Sequence, residues 1–351
     1  MSSHLRVDCD GLASELALAD LLTALGKRAH VVNPGPLPRA FRFLPGSDRV
    51  TLVDDVGGRL ADLDAAVILD SPDWGRIGRV ASLLRGATSL GVLPASSEDH
   101  GEHRPSVGEG PEPAKRAGGL AVLNIDHHPD NAFFGTVNLV DPEASSACEL
   151  LCRVIQANGF PLSTAMATNL YAGILSDTGR FCYSNTSAEA LRVAAEMVRA
   201  GADPVAVGAH LYEDFPEGLL RLWADVVATV ELLLGGRVAL AFMTAEMLRR
   251  RGVDLEDTQD FAEIPRMLSG VQVGVLLREM ADGMVKVSLR SRGPANVSAM
   301  AARLGGGGHH HAAGIVLAGT LAQARKQVLT VVAEALAAGC DRLTPPGLTP
   351  P

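Results

Sequence analysis

Aromatic residues are scarce in this 351-residue chain, at 4% against 47% hydrophobic residues. Its cores must therefore be aliphatic and Ala-rich, which suits alternating helices and strands better than a β-sandwich. Cysteine is sparse too. Cys9, Cys148, Cys152, Cys182 and Cys340 are odd in number and lack zinc-type pairing. That usage reads as a reduced, cytoplasmic protein, with Cys148 and Cys152 as small hydrophobes on one helix. No uninterrupted apolar run approaches the roughly 18 residues of a membrane span, and no basic-then-apolar leader opens the sequence. Positive charge is short over residues 1–236, which carry 18 Lys+Arg against 30 Asp+Glu. That balance argues against tight, non-specific binding to long nucleic acid, which depends on neutralising phosphates. It leaves small phosphorylated substrates open if cations load the site. Residues 237–317 differ, with 10 Lys+Arg against 8 Asp+Glu.

What is present is an alternation of short strands and helices. Residues 12–24 have helical periodicity and stop at Gly26, a good C-terminal capping residue. Strands are expected at 30–32, 50–53, 65–69 and 120–125, with a helix at 77–84. This order predicts a mainly parallel, doubly wound sheet. Helices are expected at 144–157 and 164–176, and Thr186-Ser187-Ala188-Glu189 resembles a capping box opening a helix to 199. A long helix over 219–234 reads as a connector. Shorter strands follow at 238–242, 271–278, 285–290 and 315–317. We therefore expect a first domain over 1–215, a helical connector over 216–236 and a smaller mixed α/β domain over 237–339. Residues 94–119, rich in Pro, Gly, Ser and charge, read as a mobile insertion, and 340–351 as a flexible tail.

Chemistry concentrates at the ends of apolar runs. Asp126-His127-His128 follows the run 120–125, and burying two imidazoles and a carboxylate there is costly unless they are paired or bind metal. Asp70 ends the run 65–69, Asp177 closes a helix, and His4, Asp8 and Asp10 stand just before another. In an extended segment Asp8 and Asp10 project the same way. Two imidazoles (His4, His127) and four carboxylates (Asp8, Asp10, Asp70, Asp177) make a formal charge that two divalent cations would neutralise. Nitrogen and oxygen donors without thiolate favour Mn²⁺, with Mg²⁺ or Co²⁺ as alternatives. Two such ions about 3.5–4 Å apart clamp a phosphoryl group. Each residue also has a plainer reading: an Asp after a strand is often a turn former, a His near a terminus is often solvated, and Asp177-Thr178-Gly179 suits a helix-ending turn. Adjacent histidines after a buried strand are harder to dismiss.

With those residues in view, the sequence resembles the DHH phosphoesterase family, whose third motif is Asp126-His127-His128. The segment 4–14 (HLRVDCDGLAS) is similar to its first motif, Asp70 to its second and Asp177-Thr178-Gly179 to its fourth. Val7, Cys9 and Gly11 stand where Pro, Gly and Ala are usual. The family carries a helix and a strand ahead of its first histidine. Only three residues precede His4 here, so an upstream start or a missing central strand is expected. Val287-Ser288-Leu289-Arg290-Ser291 and 305–314 (GGGGHHHAAG) resemble the DHH-associated C-terminal domain.

The resemblance implies that His4, Asp8 and Asp70 hold one ion, and that Asp10, Asp70, His127 and Asp177 hold the other. It gives His128 the scissile phosphate and Asp126 the orienting of an imidazole. Arg290, Ser291, Gly306, Gly307, Gly308 and His309 would bind substrate in a cleft between the domains. The glycines suit close backbone approach in a concave loop, although a glycine linker with surface histidines is the plainer reading. His310 and His311 are expected to have no specific role. Overall length and motif order look most like the oligoribonuclease (nanoRNase)/pAp phosphatase branch. That implies hydrolysis of short RNA or DNA and of small phosphorylated nucleotides, with no membrane and with a homodimer left open. A cyclic-dinucleotide phosphodiesterase would use the same ligands, and a regulator with a degraded site is the contrasting class.

Overall fold

The computed structural model describes residues 1–5, 7–56, 63–87, 120–280 and 283–340. The insertion expected at 94–119 lies outside the described residues, as do residues 341–351 of the expected tail. Two compact units make up the chain, Met1–Asp214 and Phe215–Pro351.

The first unit runs α1 (Cys9–Ala24), β1 (Val32–Asn33), β2 (Thr51–Leu52), β3 (Ala65–Leu69), α2 (Arg79–Ala87), β4 (Ala121–Asp126), β5 (Val137–Val140), α3 (Ala147–Ala157), α4 (Thr164–Asp177), α5 (Ala188–Arg199) and α6 (Pro204–Tyr212). All its strand pairs are parallel, in the orders β1-β2 and β3-β4-β5. Residues 1–3 lie between these two sets. Ser2 NH donates to Val67 O and Leu69 NH to Ser2 O, while Val32 NH donates to Met1 O. Ser2 forms a single parallel bridge with Ile68 of β3.

Helix α1 is buried on every side from Cys9 to Ala19, as a helix at the centre of a domain must be. Leu12 and Leu16 pack with Leu151 of α3, Ile174 of α4 and Met197 of α5. Asp8 caps it, accepting from Gly11 NH at 3.0 Å. Helix α5 starts one residue later than a box at Thr186 would place it: its cap is Ser187, which accepts from Ala190 NH. Strand β5 and helix α6 were not anticipated, although Asp203-Pro204 carries a start signal, with Asp203 Oδ1 capping Val205 and Ala206 NH.

The second unit comprises α7 (Glu217–Val227), β6 (Glu231–Leu233), β7 (Val238–Met243), α8 (Ala245–Arg251), β8 (Val273–Glu279), β9 (Met284–Ser291), α9 (Val297–Ala302), β10 (Gly307–His309), β11 (Ala312–Ala318) and α10 (Leu321–Cys340). The helix expected over 219–234 is thus broken. Thr229 Oγ1 donates to Val226 O at 2.7 Å and accepts from Phe242 NH at 3.0 Å, which turns the chain so that β6 pairs with β7. The sheet has the order β10-β11-β9-β8-β7-β6, with only β7 and β8 parallel. Its residues alternate between two cores, because successive side chains on a strand face opposite ways. Val273, Val275 and Leu277 pack with Met300, Val328 and Val332 from α9 and α10. Leu276 packs on the other side with Leu222 of α7, Phe261 and Ile264.

Candidate active site

In the first unit, the candidate ligands come from the ends of several elements. Asp70 leaves β3 with φ at 51°, a left-handed conformation that a non-glycine residue adopts at a cost. Its amide donates to Ile125 O at 2.9 Å, which ties it to β4. Asp8 and Asp10 do not share an extended segment. Asp8 is the cap of α1, whereas Asp10 lies inside the helix and turns toward α3. There the Asp10 carboxylate accepts from Ala147 NH at 2.7 Å and Cys148 NH at 3.0 Å, two of the unpaired amides at a helix start. Gly173 of α4 makes this approach possible. A Cβ on it would lie 2.3 Å from Cys148 Sγ and 2.9 Å from Asp10 Oδ1.

Asp70 stands between two sets of donors. Its Oδ2 is 3.5 Å from His4 Nε2, which is 3.4 Å from Asp8 Oδ2. Its Oδ1 is 3.3 Å from His127 Nε2, which is 3.6 Å from Asp177 Oδ2. Donor atoms of His4, Asp8 and Asp70 lie within 4.8 Å of one another, as do those of Asp10, His127 and Asp177. These spacings are long for hydrogen bonds. Two ligands about 2.1 Å from one ion stand roughly 3.0–3.4 Å apart at octahedral to tetrahedral angles, so this donor set fits divalent cations.

The electrostatics agree with that fit. Burial opposes the charge of His4, yet Asp8 and Asp70 outweigh it and raise its pKa to about 10. Burial likewise opposes the charge of His127, and Asp177, Asp70 and Asp10 lift it well above the usual range. Burial, then Asp70, pushes Asp10 up to about 7. Asp177 is raised well above the ordinary carboxylate range by burial, with His127 opposing and Asp10 adding. Asp70 goes the other way: burial resists, but His127 and His4 hold its carboxyl well below that range. Acids that resist ionisation beside imidazoles that hold protons mark a site in need of positive charge.

Asp126 and His128 form a close pair beside Asp70, with His128 Nδ1 2.7 Å from Asp126 Oδ1 and 3.6 Å from Asp70 Oδ1. Asp126 is fully buried at the end of β4. Its other oxygen accepts from Asn131 Nδ2 at 2.5 Å, and Asn131 also donates to Asn124 Oδ1 at 2.8 Å. Asn124 in turn donates to Ile68 O and Ser71 O, which fastens β4 to the chain around Asp70. Sequence reasoning missed both asparagines. The signal was a polar Asn inside the apolar strand 121–125, a position that demands a partner.

The substrate-binding candidates lie in the second unit. Gly307 and His309 are in strand β10, paired with Gly314 and Ala312, so this stretch is a hairpin arm and not an open loop. Gly306 and Gly308 are required by that pairing: a Cβ on them would meet Gly314 O at 2.3 Å and Ala312 O at 2.5 Å. Arg290 Nε donates to Glu263 Oε1 at 2.6 Å. Ser291 Oγ donates to Ala295 O at 2.7 Å and lies 2.9 Å from His311 Nδ1, giving His311 a contact it was not expected to have.

Comparison with known proteins accords with this arrangement. Residues 2–174 match the DHH family N-terminal domain, and residues 235–338 match the DHHA1 domain. The chain is 34% identical over 338 residues to the bifunctional oligoribonuclease and PAP phosphatase NrnA of Thermus thermophilus, covering 96% of this chain and 89% of that one. It is 34% identical over 289 residues to a probable bifunctional oligoribonuclease and PAP phosphatase NrnA of Streptococcus mutans, covering 82% of this chain and 80% of that one. The crystal structure of an exopolyphosphatase-related protein from Bacteroides fragilis superposes with a TM-score of 0.77 at 26% identity, over 96% of this chain and 91% of that one. The donors around Asp70, the Asp126-His128 pair and the paired DHH and DHHA1 domains place this chain in the DHH family of metal-dependent phosphoesterases.

Proposed function

We propose that this protein hydrolyses short oligonucleotides to mononucleotides and removes a phosphate from pAp. The observation that carries the reading is Asp70, whose two oxygens face two separate donor sets in a chain so similar to the Thermus enzyme. His4, Asp8 and Asp70 would hold one ion, and Asp10, Asp70, His127 and Asp177 the other. Bound there, divalent ions supply Lewis-acid charge and lower the pKa of water.

The chain's own residues do the positioning. Asp126 Oδ1 is hydrogen-bonded to His128 Nδ1, which fixes the ring; with a hydrogen on each ring nitrogen, Nε2–H would donate to a phosphate oxygen. Asn131 occupies the second oxygen of Asp126, so that acid cannot turn away. Arg290, Ser291, Gly306, Gly307, Gly308 and His309 would hold the substrate. Mn²⁺ as the ion, a cytoplasmic location and a homodimer belong to the same proposal. No helix among the described residues is long and apolar enough to cross a membrane.

The test is turnover by purified protein with Mn²⁺, Mg²⁺ or Co²⁺, offered RNA of two to five nucleotides, pAp and cyclic di-AMP in parallel. Release of mononucleotides or AMP supports the proposal. Turnover of cyclic di-AMP alone would replace it with a cyclic-dinucleotide phosphodiesterase. No turnover with any ion would favour a nucleotide-binding regulator. Unchanged turnover in Asp70→Ala or His127→Ala would remove the metal site from the reaction.

A further inference from the structure

Helix α4 ends on a candidate ligand, Asp177, and every carbonyl of its last turn has a partner. Ile174 O accepts from Thr178 NH at 3.1 Å, Leu175 O from Arg180 NH at 2.8 Å and Ser176 O from Gly179 NH at 3.0 Å. Asp177 O, the last of them, accepts from a side chain, Asn185 Nδ2 at 3.1 Å. Carbonyls at a helix end have no partner within the helix, so each must find one beyond it. For Asp177 that partner lies eight residues further along the chain.

The chain folds back sharply to bring Asn185 there. Gly179, Arg180 and Phe181 are all left-handed, with φ of 54°, 61° and 60°. Two of the three carry side chains, for which that conformation is unfavourable. Their surroundings impose it. Thr178 Oγ1 donates to Ile174 O at 2.7 Å and accepts from Phe181 NH at 3.2 Å. Arg180 lies 4.3 Å over the Tyr212 ring of α6. The Tyr183 ring covers Gly179 so closely that a Cβ there would stand 2.4 Å from its atoms.

Asn185 holds more than Asp177. Its Nδ2 also donates to Ser145 O at 3.0 Å. Ser145 NH and Oγ donate in turn to Glu149 Oε2 at 2.8 and 2.6 Å, and Glu149 is fully buried in α3. Between those two residues lie Ala147 and Cys148, whose amides hold Asp10. One side-chain amide thus joins the end of α4 to the start of α3. Both of its acceptors are carbonyls, so both hydrogens of Nδ2 are used and the amide cannot be reversed. Its Oδ1 is buried and accepts from nothing among the described residues. A buried acceptor without a donor is unfavourable, so packing alone would favour an apolar residue here.

We propose that Asn185 is a positioning residue for the donor set of Asp10, His127 and Asp177, fixing the separation of its two carboxylates by bonding the backbone at Asp177 and at Ser145. Asp10 and Asp177 are acids drawn toward one ion, and as like charges they push apart without it. A bond to both of their supports keeps the pair together before the ion arrives.

This role rests on the proposed reading of these donors as a metal site, and the test separates the two. Mn²⁺ is titrated into metal-free, full-length protein without substrate, and bound ions are counted by calorimetry and by the electron spin resonance of free Mn²⁺. Wild type should bind two ions. In Asn185→Ala, one of the two should bind about ten-fold or more weakly, the range for partners behind a metal ligand, while the other is unchanged. Asn185→Asp keeps the size but turns carboxylate oxygens toward two carbonyls, so it should lose as much. Asn185→Gln, with its amide on a longer arm, should recover part of the affinity. Activity lost at low Mn²⁺ should return as Mn²⁺ is raised, which a general packing defect would not allow. Two ions bound as tightly as in wild type, or both weakened equally, would overturn the positioning role and leave the metal site intact. If wild type binds no Mn²⁺, the metal reading fails and the role of Asn185 falls with it. Where the variants do not fold, the wild type decides. Its Asn185 side-chain amide hydrogens should exchange more slowly with Mg²⁺ bound than with chelator, and equal rates would rule the role out.

Discussion

The two units solve opposite electrostatic problems. The first gathers carboxylates and imidazoles from residues 4 to 177 in groups that could hold cations. The second brings two arginines, Arg266 and Arg290, onto one acid, Glu263. Their construction differs as well. The first site uses element ends: a helix cap, a helix start, two strand exits and a helix finish. The second uses register, so that residues far apart in sequence meet only when four strands pair correctly. An end-built site survives small shifts of a strand, whereas a register-built site moves to the wrong face with a one-residue slip.

The sharpest way to break the contrast is at Asp70. Asp70→Asn removes charge from both donor sets, and the loss in kcat should exceed about 100-fold, the upper range for outer-shell partners of a metal site. A smaller loss would mean the two sets do not act together. Asn131→Ala tests the support beneath: it frees Asp126 Oδ2, and activity should fall roughly 10–100-fold while the Asp70 donors stay in place. An activity equal to wild type would show that His128 needs no fixing.

Smaller effects separate packing from chemistry. Gly173→Ala forces a methyl against Cys148 Sγ and Asp10, and should cost about 1–3 kcal/mol in denaturant melts, together with weaker Mn²⁺ binding. Gly208→Ala in α6 meets nothing within 4 Å and should stabilise by about 0.4–1 kcal/mol. Equal effects would mean that the tight seat of Asp10 is unimportant.

The smallest effect is a pH dependence in the second unit. Burial works against the charge of Glu263, but Arg290 and Arg266 outweigh it and keep its carboxyl below the usual value of 4.5. A depressed carboxylate adds stability that is present above the unfolded pKa and is lost as pH falls through the folded one. Urea midpoints of wild type should therefore drop more steeply below about pH 4.5 than those of Glu263→Gln. Parallel curves would show that the two arginines do not hold this acid.

The site in the first unit was legible because its residues carry the wrong polarity for their places. Asp126, His127 and Asp70 follow apolar runs, so their burial could be foreseen and a reason demanded. What could not be read was orientation. Asp10 was expected alongside Asp8, but α1 begins at Cys9 and helical geometry turns Asp10 toward α3. Asn131 was invisible because its role depends on where a loop returns. In the second unit Glu263 and Arg266 precede β8, so nothing in their spacing reveals that they meet Arg290. The break at Thr229 was hidden for a similar reason: a hydroxyl bond to Phe242, distant in sequence, outweighs helical propensity over 219–234.

The grip of Asp10 on α3 has a use at the bench. The amides of Ala147 and Cys148 end on the two oxygens of this acid, yet neither residue belongs to the donor set. They are built-in listening posts. Their hydrogen–deuterium exchange should slow when Mn²⁺ holds Asp10 ionised and in place, and quicken in Asp10→Ala. A nuclear magnetic resonance or mass-spectrometric trace of two backbone protons would then count loaded molecules without a substrate in the tube.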